Sequence, residues 1–188
     1  MLYQIVSLLL EVAAGVLSGA CLLRLYMQYL RIPMSARSGN PLGRFVFALT
    51  DWLVLPLRRV LPSIGALDTA SLVAAYLVQL AEFGILWLLV GGEGGLFAVP
   101  ILAVFGLVRM AISGLTGAVI VYAVLSWVST QSVIADVIER LVAPLLVPIR
   151  RVLPLVGGID LSPLVLLVIL QIATIVLGYL QAAALMAF

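Results

Sequence analysis

The chain carries one thirteen-residue segment twice: PLRRVLPSIGALD at residues 56–68 and PIRRVLPLVGGID at residues 148–160, with eight of the thirteen positions identical. At the same shift of 92 the correspondence continues, pairing Leu72, Val73, Gln79 and Ala81 with Leu164, Val165, Gln171 and Ala173. Self-similarity that covers a polar segment and the apolar run after it marks a duplicated structural unit. The chain therefore reads as two copies of one module, over residues 1–90 and 96–188, joined by a glycine-rich connection at 91–95.

Composition places both copies in a membrane. Of 188 residues 65% are hydrophobic and only 10% charged, with a mean hydropathy of +1.32. Soluble domains run at roughly 45–50% apolar and ~25% charged. All ten basic residues are arginine, and a net charge of +2 leaves no footprint for nucleic acid. The absence of histidine and the single cysteine exclude internal disulfides and the usual histidine-based metal, haem and triad arrangements. No enzyme activity and no cofactor is expected.

Four apolar runs are long enough to cross a bilayer, at about 2–30, 69–90, 108–128 and 161–186, since roughly 20 helical residues suffice. The fold expected is an all-α membrane protein of four transmembrane helices, arranged as two parallel two-helix repeats about a pseudo-two-fold along the membrane normal. Pro100 is expected to separate a short piece over 96–107 from the third span. Ser18-Gly-Ala-Cys21 resembles a lipoprotein cleavage box, but no basic stretch precedes it and Glu11 interrupts the apolar run, so an uncleaved helix is expected.

Between the spans of each module an amphipathic helix in the interface plane is expected. In the first copy Asn40-Pro41 reads as an N-cap with proline at the first helical position, and Leu42, Phe45, Val46, Leu49 and Leu53 make the apolar stripe. In the second, Ser132 to Val142 carries Val133, Val137, Ile138 and Leu141 on one face, with Asp136 and Arg140 as an i, i+4 ion pair. Prolines at 56 and 62, and at 148 and 154, are too close for an uninterrupted helix, so each Pro-Arg-Arg segment is expected to be broken or re-entrant. Gly65 and Gly157 supply its conformational freedom. Asp68 and Asp160 stand where the next helix needs an N-cap, with pairing to a neighbouring arginine as the other reading.

Charge placement sets the orientation. Eight arginines (31, 37, 44, 58, 59, 140, 150 and 151) lie in the two inter-helix segments, against Glu93 alone in the glycine-rich connection. The positive-inside rule puts both arginine-rich segments in the cytoplasm and both termini outside. Arg58, Arg59, Arg150 and Arg151 then either anchor topology or dock anionic lipid headgroups or an acidic protein partner, because guanidinium forks suit phosphate and carboxylate. The two pairs are expected to lie side by side.

Within the spans, Glu11, Arg24, Gln79, Glu82, Arg109 and Gln171 are polar where a charge costs ~2.5–3.5 kcal/mol on insertion scales. Gln4, Ser7, Glu11, Gly15, Ser18 and Cys21 form one stripe on the first span, Arg109 shares a face with Gly106, Ser113 and Gly117, and Gln171, Thr174, Gly178 and Gln181 form a stripe on the fourth. These faces are expected to point inwards, with Arg109 paired to Glu82 and Glu11 as the competing partner. The same groups could instead line an ion path, in a monomer or an oligomer.

The doubled PLRRVLP-x-x-G-x-x-D pattern, followed by Ser71 or by Ser162-Pro163, resembles the YggT family of small bacterial inner-membrane proteins. That resemblance covers nearly the whole chain. It implies a multi-pass protein of the bacterial inner membrane. It also implies a loose association with ion or osmotic homeostasis, with cell division, or, in organelle relatives, with haem attachment and complex assembly. It assigns no catalytic residue. Two function classes follow: a non-enzymatic scaffold or membrane organiser, and a small channel or transporter.

Overall fold

In the computed structural model, residues 1–35, 39–63, 67–92, 95–128, 132–153 and 160–186 are described. Gly65, Gly157, Arg37 and Glu93 lie outside them. Among the described residues there are six helices: α1 (Leu2–Tyr29), α2 (Pro41–Arg58), α3 (Thr69–Leu89), α4 (Ala98–Val128), α5 (Val133–Val152) and α6 (Ser162–Met186). Four of them, α1, α3, α4 and α6, are long and apolar enough to cross a membrane. The third span is one helix from Ala98, not a short piece followed by a span from 108. Pro100 sits in its first turn, where a missing N–H breaks no intrahelical bond.

Local signals explain the joints. Just past the end of α1, Arg31 at a φ of 54° turns the chain so that the Ile32 N–H donates back to the Met27 carbonyl. Asn40 then starts α2: its side-chain oxygen accepts from the Leu42 and Gly43 N–H groups, and its amide nitrogen donates to the Pro33 carbonyl. Ser132 caps α5 in the same way through the Ala135 N–H. After α3 the chain reverses through Gly91 and Gly92, at φ of 88° and 74°.

The helices between the spans are longer than expected. The first runs through Pro56 to Arg58, and the second through Pro144 and Pro148 to Val152. In the first copy the helix ends at Arg58 and the break falls between the two prolines, as expected; in the second the helix takes in both arginines and ends at Val152, and residues 154–159 lie outside the described ones. Both Pro56 and Pro148 are exposed, so the ring and the freed carbonyl one turn earlier face outwards at no packing cost. The buried face of α2 also differs, being Gly43, Val46, Thr50 and Val54, with Phe45 turned out. On α5, Val137, Ile138, Leu141, Val142 and Leu146 are buried, whereas Asp136 and Arg140 stay exposed and form no ion pair among the described residues.

Packing is densest where side chains are smallest. Cys21 of α1, Val54 of α2 and Ala70, Ala74 and Ala75 of α3 form one buried cluster, so the three helices of the first module approach closely. Met27, Ile32 and Met34 join Val119, the buried face of α5 and Leu166 and Leu170 of α6 in a second, larger cluster. The Tyr26 hydroxyl crosses between modules to the Leu141 carbonyl at 2.8 Å.

The arrangement of spans is open. α1 packs on α3 and α4 on α6 within the modules, and α3 packs on α4 between them. A pseudo-two-fold would require an equivalent α6–α1 contact. No comparable packing exists there among the described residues, nor between α2 and α5. α1 also packs on α4 between the modules, with Gly15 and Gly19 facing Met110, so the contacts between modules are uneven and depart from the expected two-fold.

Candidate functional site

At the arginine-rich end, each module closes the same three-helix latch. In the first, Arg58 at the end of α2 pairs with Asp68 at 2.5 Å, and the Ser71 hydroxyl donates to the same carboxylate oxygen at 2.6 Å. Gln28 from α1 completes it: in the amide orientation that satisfies both neighbours, its oxygen accepts from Arg58 and its nitrogen donates to Asp68. In the second, Arg150 donates through Nε to Asp160 at 2.9 Å and through Nη2 to the Tyr122 hydroxyl of α4 at 2.7 Å. Arg58 and Arg150, like Asp68 and Asp160, stand 92 apart. The latch therefore repeats with the segment, and the third residue, glutamine or tyrosine, varies.

Both aspartates hold an arginine, and only Asp160 also caps its helix. Asp68 lies just ahead of α3 but makes no side-chain cap hydrogen bond; its carboxylate is spent on Arg58 and Ser71. Asp160 does both, accepting from the Ser162 N–H on one oxygen and from Arg150 on the other. Burial pushes the Asp68 carboxyl up, yet the bonds from Arg58 and Ser71 outweigh it and hold it below the usual carboxylate range. Asp160 is likewise held low: the rise from burial is outweighed by bonds from Ser162 and Arg150. For Arg150, burial favours proton loss, but Tyr122 and Asp160 raise its pKa overall.

The second arginine of each pair points elsewhere. Arg59 and Arg151 are exposed, and their side chains make no hydrogen bond or ion pair among the described residues. Beside the first latch lies a polar cavity of about 510 Å³ lined by Gln28, Arg58, Leu61, Pro62, Ser63, Leu67 and Asp68. Each arginine pair has a latch of its own, Arg58 on Asp68 and Arg150 on Asp160.

The intramembrane residues divide into three groups. Arg24 is only 1% exposed and donates to Thr50 Oγ1 and Asp51 Oδ1, both at 2.7 Å, while its guanidinium lies 4.8 Å from the Phe47 ring centre. Asp51 and Phe47 were the signal to read, for they sit one helical turn apart on α2 and follow a span that carries an otherwise stranded arginine. Gln79 donates to Ser18 of α1 at 3.3 Å and to Glu82 at 3.0 Å, and both Gln79 and Glu82 are buried. Arg109 does not meet Glu82. It is exposed and donates to Gln181 of α6 at 2.7 Å, because α4 turns Gly106, not Arg109, towards Gln79 and Phe83 of α3.

The expected inward stripes hold only in part. On α1, Ser18 and Cys21 are buried, but Gln4 and Glu11 are exposed. On α4, Ser113 and Gly117 are exposed. On α6, Gln171, Thr174 and Gly178 are exposed, and only Gln181 finds a partner on another helix. Periodicity gave each stripe its face, but a helix with two neighbours can hide only part of its circumference.

Four membrane-crossing helices in tandem pairs, each pair latched at one end through an interfacial-length helix, define a small multi-pass membrane protein built by duplication. The CCB3/YggT family model matches residues 3–89 and 101–181, and the chain belongs to that family. It is similar to the uncharacterized protein YggT of Escherichia coli strain K12, with 37% identity over 155 residues that cover 80% of this chain and 77% of the relative. The uncharacterized protein in the proC 3' region of Vibrio alginolyticus is 35% identical over 160 residues, 84% of each chain. An uncharacterized protein of Pseudomonas aeruginosa is 35% identical over 147 residues, 76% of this chain and 73% of that one. No solved structure matches the chain.

Proposed function

We propose that this protein is a non-enzymatic organiser of the bacterial inner membrane whose arginine-rich face lies in the cytoplasm and holds anionic lipid headgroups, or an acidic segment of a membrane or cytoplasmic protein, through Arg59 and Arg151. Both termini then lie outside, by the positive-inside rule. The observation that carries the reading is the division of labour within each arginine pair: Arg58 and Arg150 are latched to aspartates, while Arg59 and Arg151 are exposed and unbonded among the described residues. Anchoring alone asks for positive charge at this depth, not for one arginine held and the next presented, twice. The family-level association with osmotic or ion homeostasis and with division fits a protein that gathers anionic lipid or partners at one face.

Native mass spectrometry of the full chain released from nanodiscs tests this. With phosphatidylglycerol present, wild type should retain anionic lipid adducts that the variant Arg59→Gln, Arg151→Gln loses, at roughly 1 kcal/mol per arginine. Phosphatidylcholine adducts should not change. Equal retention of phosphatidylglycerol by both proteins would leave only the anchoring role.

A second reading, a small ion channel or transporter, rests on Ser18, Gln79 and Glu82. This polar cluster is buried at membrane depth, and among the described residues no cationic side chain pairs with Glu82. Ion flux in liposomes, lost on Glu82→Gln with the protein still folded, would establish it; flux equal to that of empty liposomes would remove it.

A further inference from the structure

The seam between the modules is closed at one height and open below it. Met110 of α4 seats against Gly15 and Gly19 of α1. From that seat towards the arginine-rich end the two helices leave a groove of about 460 Å³, lined among others by Leu22 and Tyr26 of α1, Gly114 and Val121 of α4, and Ile138 and Leu141 of α5. Both modules therefore share it. Of its lining residues only Tyr26 carries a polar side chain, and that hydroxyl is already bonded to the Leu141 carbonyl. Water would find no partners there. Gly114 and Val121 are exposed, so the groove is continuous with the lipid around α4.

Shape decides what can fill it. From Met110 to Val121 the groove runs roughly 16 Å along α4 at 1.5 Å per residue, about half of a hydrocarbon core of ~30 Å and so the depth of one leaflet. Spread over that length, 460 Å³ leaves a width of roughly 6 Å, whereas a helix with its side chains is about 10–12 Å across. A helix of a second copy is too wide for it; one extended hydrocarbon chain is not. The charge beyond its end suits a phospholipid. Arg31, exposed and without a side-chain hydrogen bond or ion pair among the described residues, follows α1 five residues past Tyr26, and a guanidinium at that level matches the phosphodiester common to all phospholipid headgroups.

We propose that one acyl chain of a phospholipid from the leaflet at the arginine-rich end lies in this groove, with its phosphodiester on Arg31, and fills the seam between the modules. The site uses neither Arg59 nor Arg151, so it stands apart from the function proposed above.

Photolabelling of the full chain tests it, in vesicles of phosphatidylethanolamine and phosphatidylglycerol doped with a phosphatidylcholine that carries a diazirine midway along one acyl chain. Labels mapped by peptide mass spectrometry should concentrate on the groove residues of α1 and α4. In Gly114→Leu they should fall to the level of the lipid-facing residues of α6, because a Cβ at Gly114 meets nothing within 4 Å and the longer side chain fills the groove instead. Gly178→Leu, equally open but on α6, should label as wild type does, and so should the variant Arg59→Gln, Arg151→Gln; Arg31→Gln should label less. The unfolding temperature checks that Gly114→Leu is folded, and the wild-type pattern decides without it. Wild-type labels spread evenly over all lipid-facing residues, the outcome for ordinary surrounding lipid, overturn the proposal. So does groove labelling that ignores Gly114→Leu or Arg31→Gln, or a chain that leaves its native membrane carrying an isoprenoid lipid or a second copy in place of a phospholipid, as read by native mass spectrometry.

Discussion

Asp68→Asn and Asp160→Asn remove the same atom from the two copies of one latch, and the structure makes their costs unequal. Asp68 is 5% exposed, and its carboxylate serves Arg58 and Ser71. Breaking a buried ion pair costs ~3–5 kcal/mol, but the Arg58 side chain is 38% exposed and recovers part of its hydration, which brings the expectation to about 2–3 kcal/mol. Asp160 and Arg150 are 31% and 37% exposed, a setting in which a pair is worth about 1 kcal/mol or less. Asparagine also keeps the capping bond to the Ser162 N–H, being as good a cap as aspartate. Thermal unfolding in nanodiscs should show Tm lower by roughly 4–12 °C for Asp68→Asn, at about 2–4 °C per kcal/mol, and by a few degrees at most for Asp160→Asn. In a double-mutant cycle Arg58→Gln should add little to Asp68→Asn. Equal losses in the two copies, or additive losses in the cycle, would refute the assignment of the first latch as the structural one.

The same latches fix the acid response. Both carboxyls are held below their unfolded values, so their stabilisation is complete above the unfolded carboxylate pKa and is lost as pH falls through the lowered folded values; Asp68→Asn should flatten Tm against pH in that acid window. Gly43→Ala should cost ~1–3 kcal/mol, because a Cβ there would lie 2.7 Å from the Met34 backbone oxygen, which cannot yield, while Gly84→Ala, with nothing within 4 Å, should be neutral in the same unfolding assay. Gly106→Leu should separate α3 from α4 by driving Gln79 and Phe83 off their seat, seen as lost cross-linking between cysteines placed on the two helices. Glu82→Gln should leave stability unchanged or raise it, since no cationic partner is stranded among the described residues; a drop in Tm would mean that the charge itself is held.

What could be read from the sequence follows from which physical signals are local. The N-cap at Asn40-Pro41, the first, second and fourth membrane spans and the glycine turn after α3 depend on a few neighbouring residues, and the structure has them where the sequence puts them. The persistence of α2 through Pro56 was not legible, because proline forbids a hydrogen bond but not a helix when the freed carbonyl faces outwards. Arg109 was misread for a related reason. Depth arithmetic placed it level with Glu82, yet a helix chooses its partners by azimuth as well as height, and Gly106, a glycine on the side of α4 that meets α3, takes that seat by admitting Gln79.

The arginine pairs show most clearly what duplication can and cannot reveal. Two neighbouring arginines near the end of a helix are about 100° apart, so they cannot both face one aspartate. Repetition of the dipeptide together with an aspartate ten residues on, in both copies, therefore implies one inward and one outward arginine even before the structure identifies Arg58 and Arg150 as the inward pair. The third member of each latch escapes such reasoning. Gln28 and Tyr122 differ in type and stand 94 apart instead of 92, because the chain between first span and interfacial helix differs in length between copies. Only the demand that a partly covered guanidinium fill its remaining donors selects them, and that demand acts across helices, where a sequence pattern has no ruler.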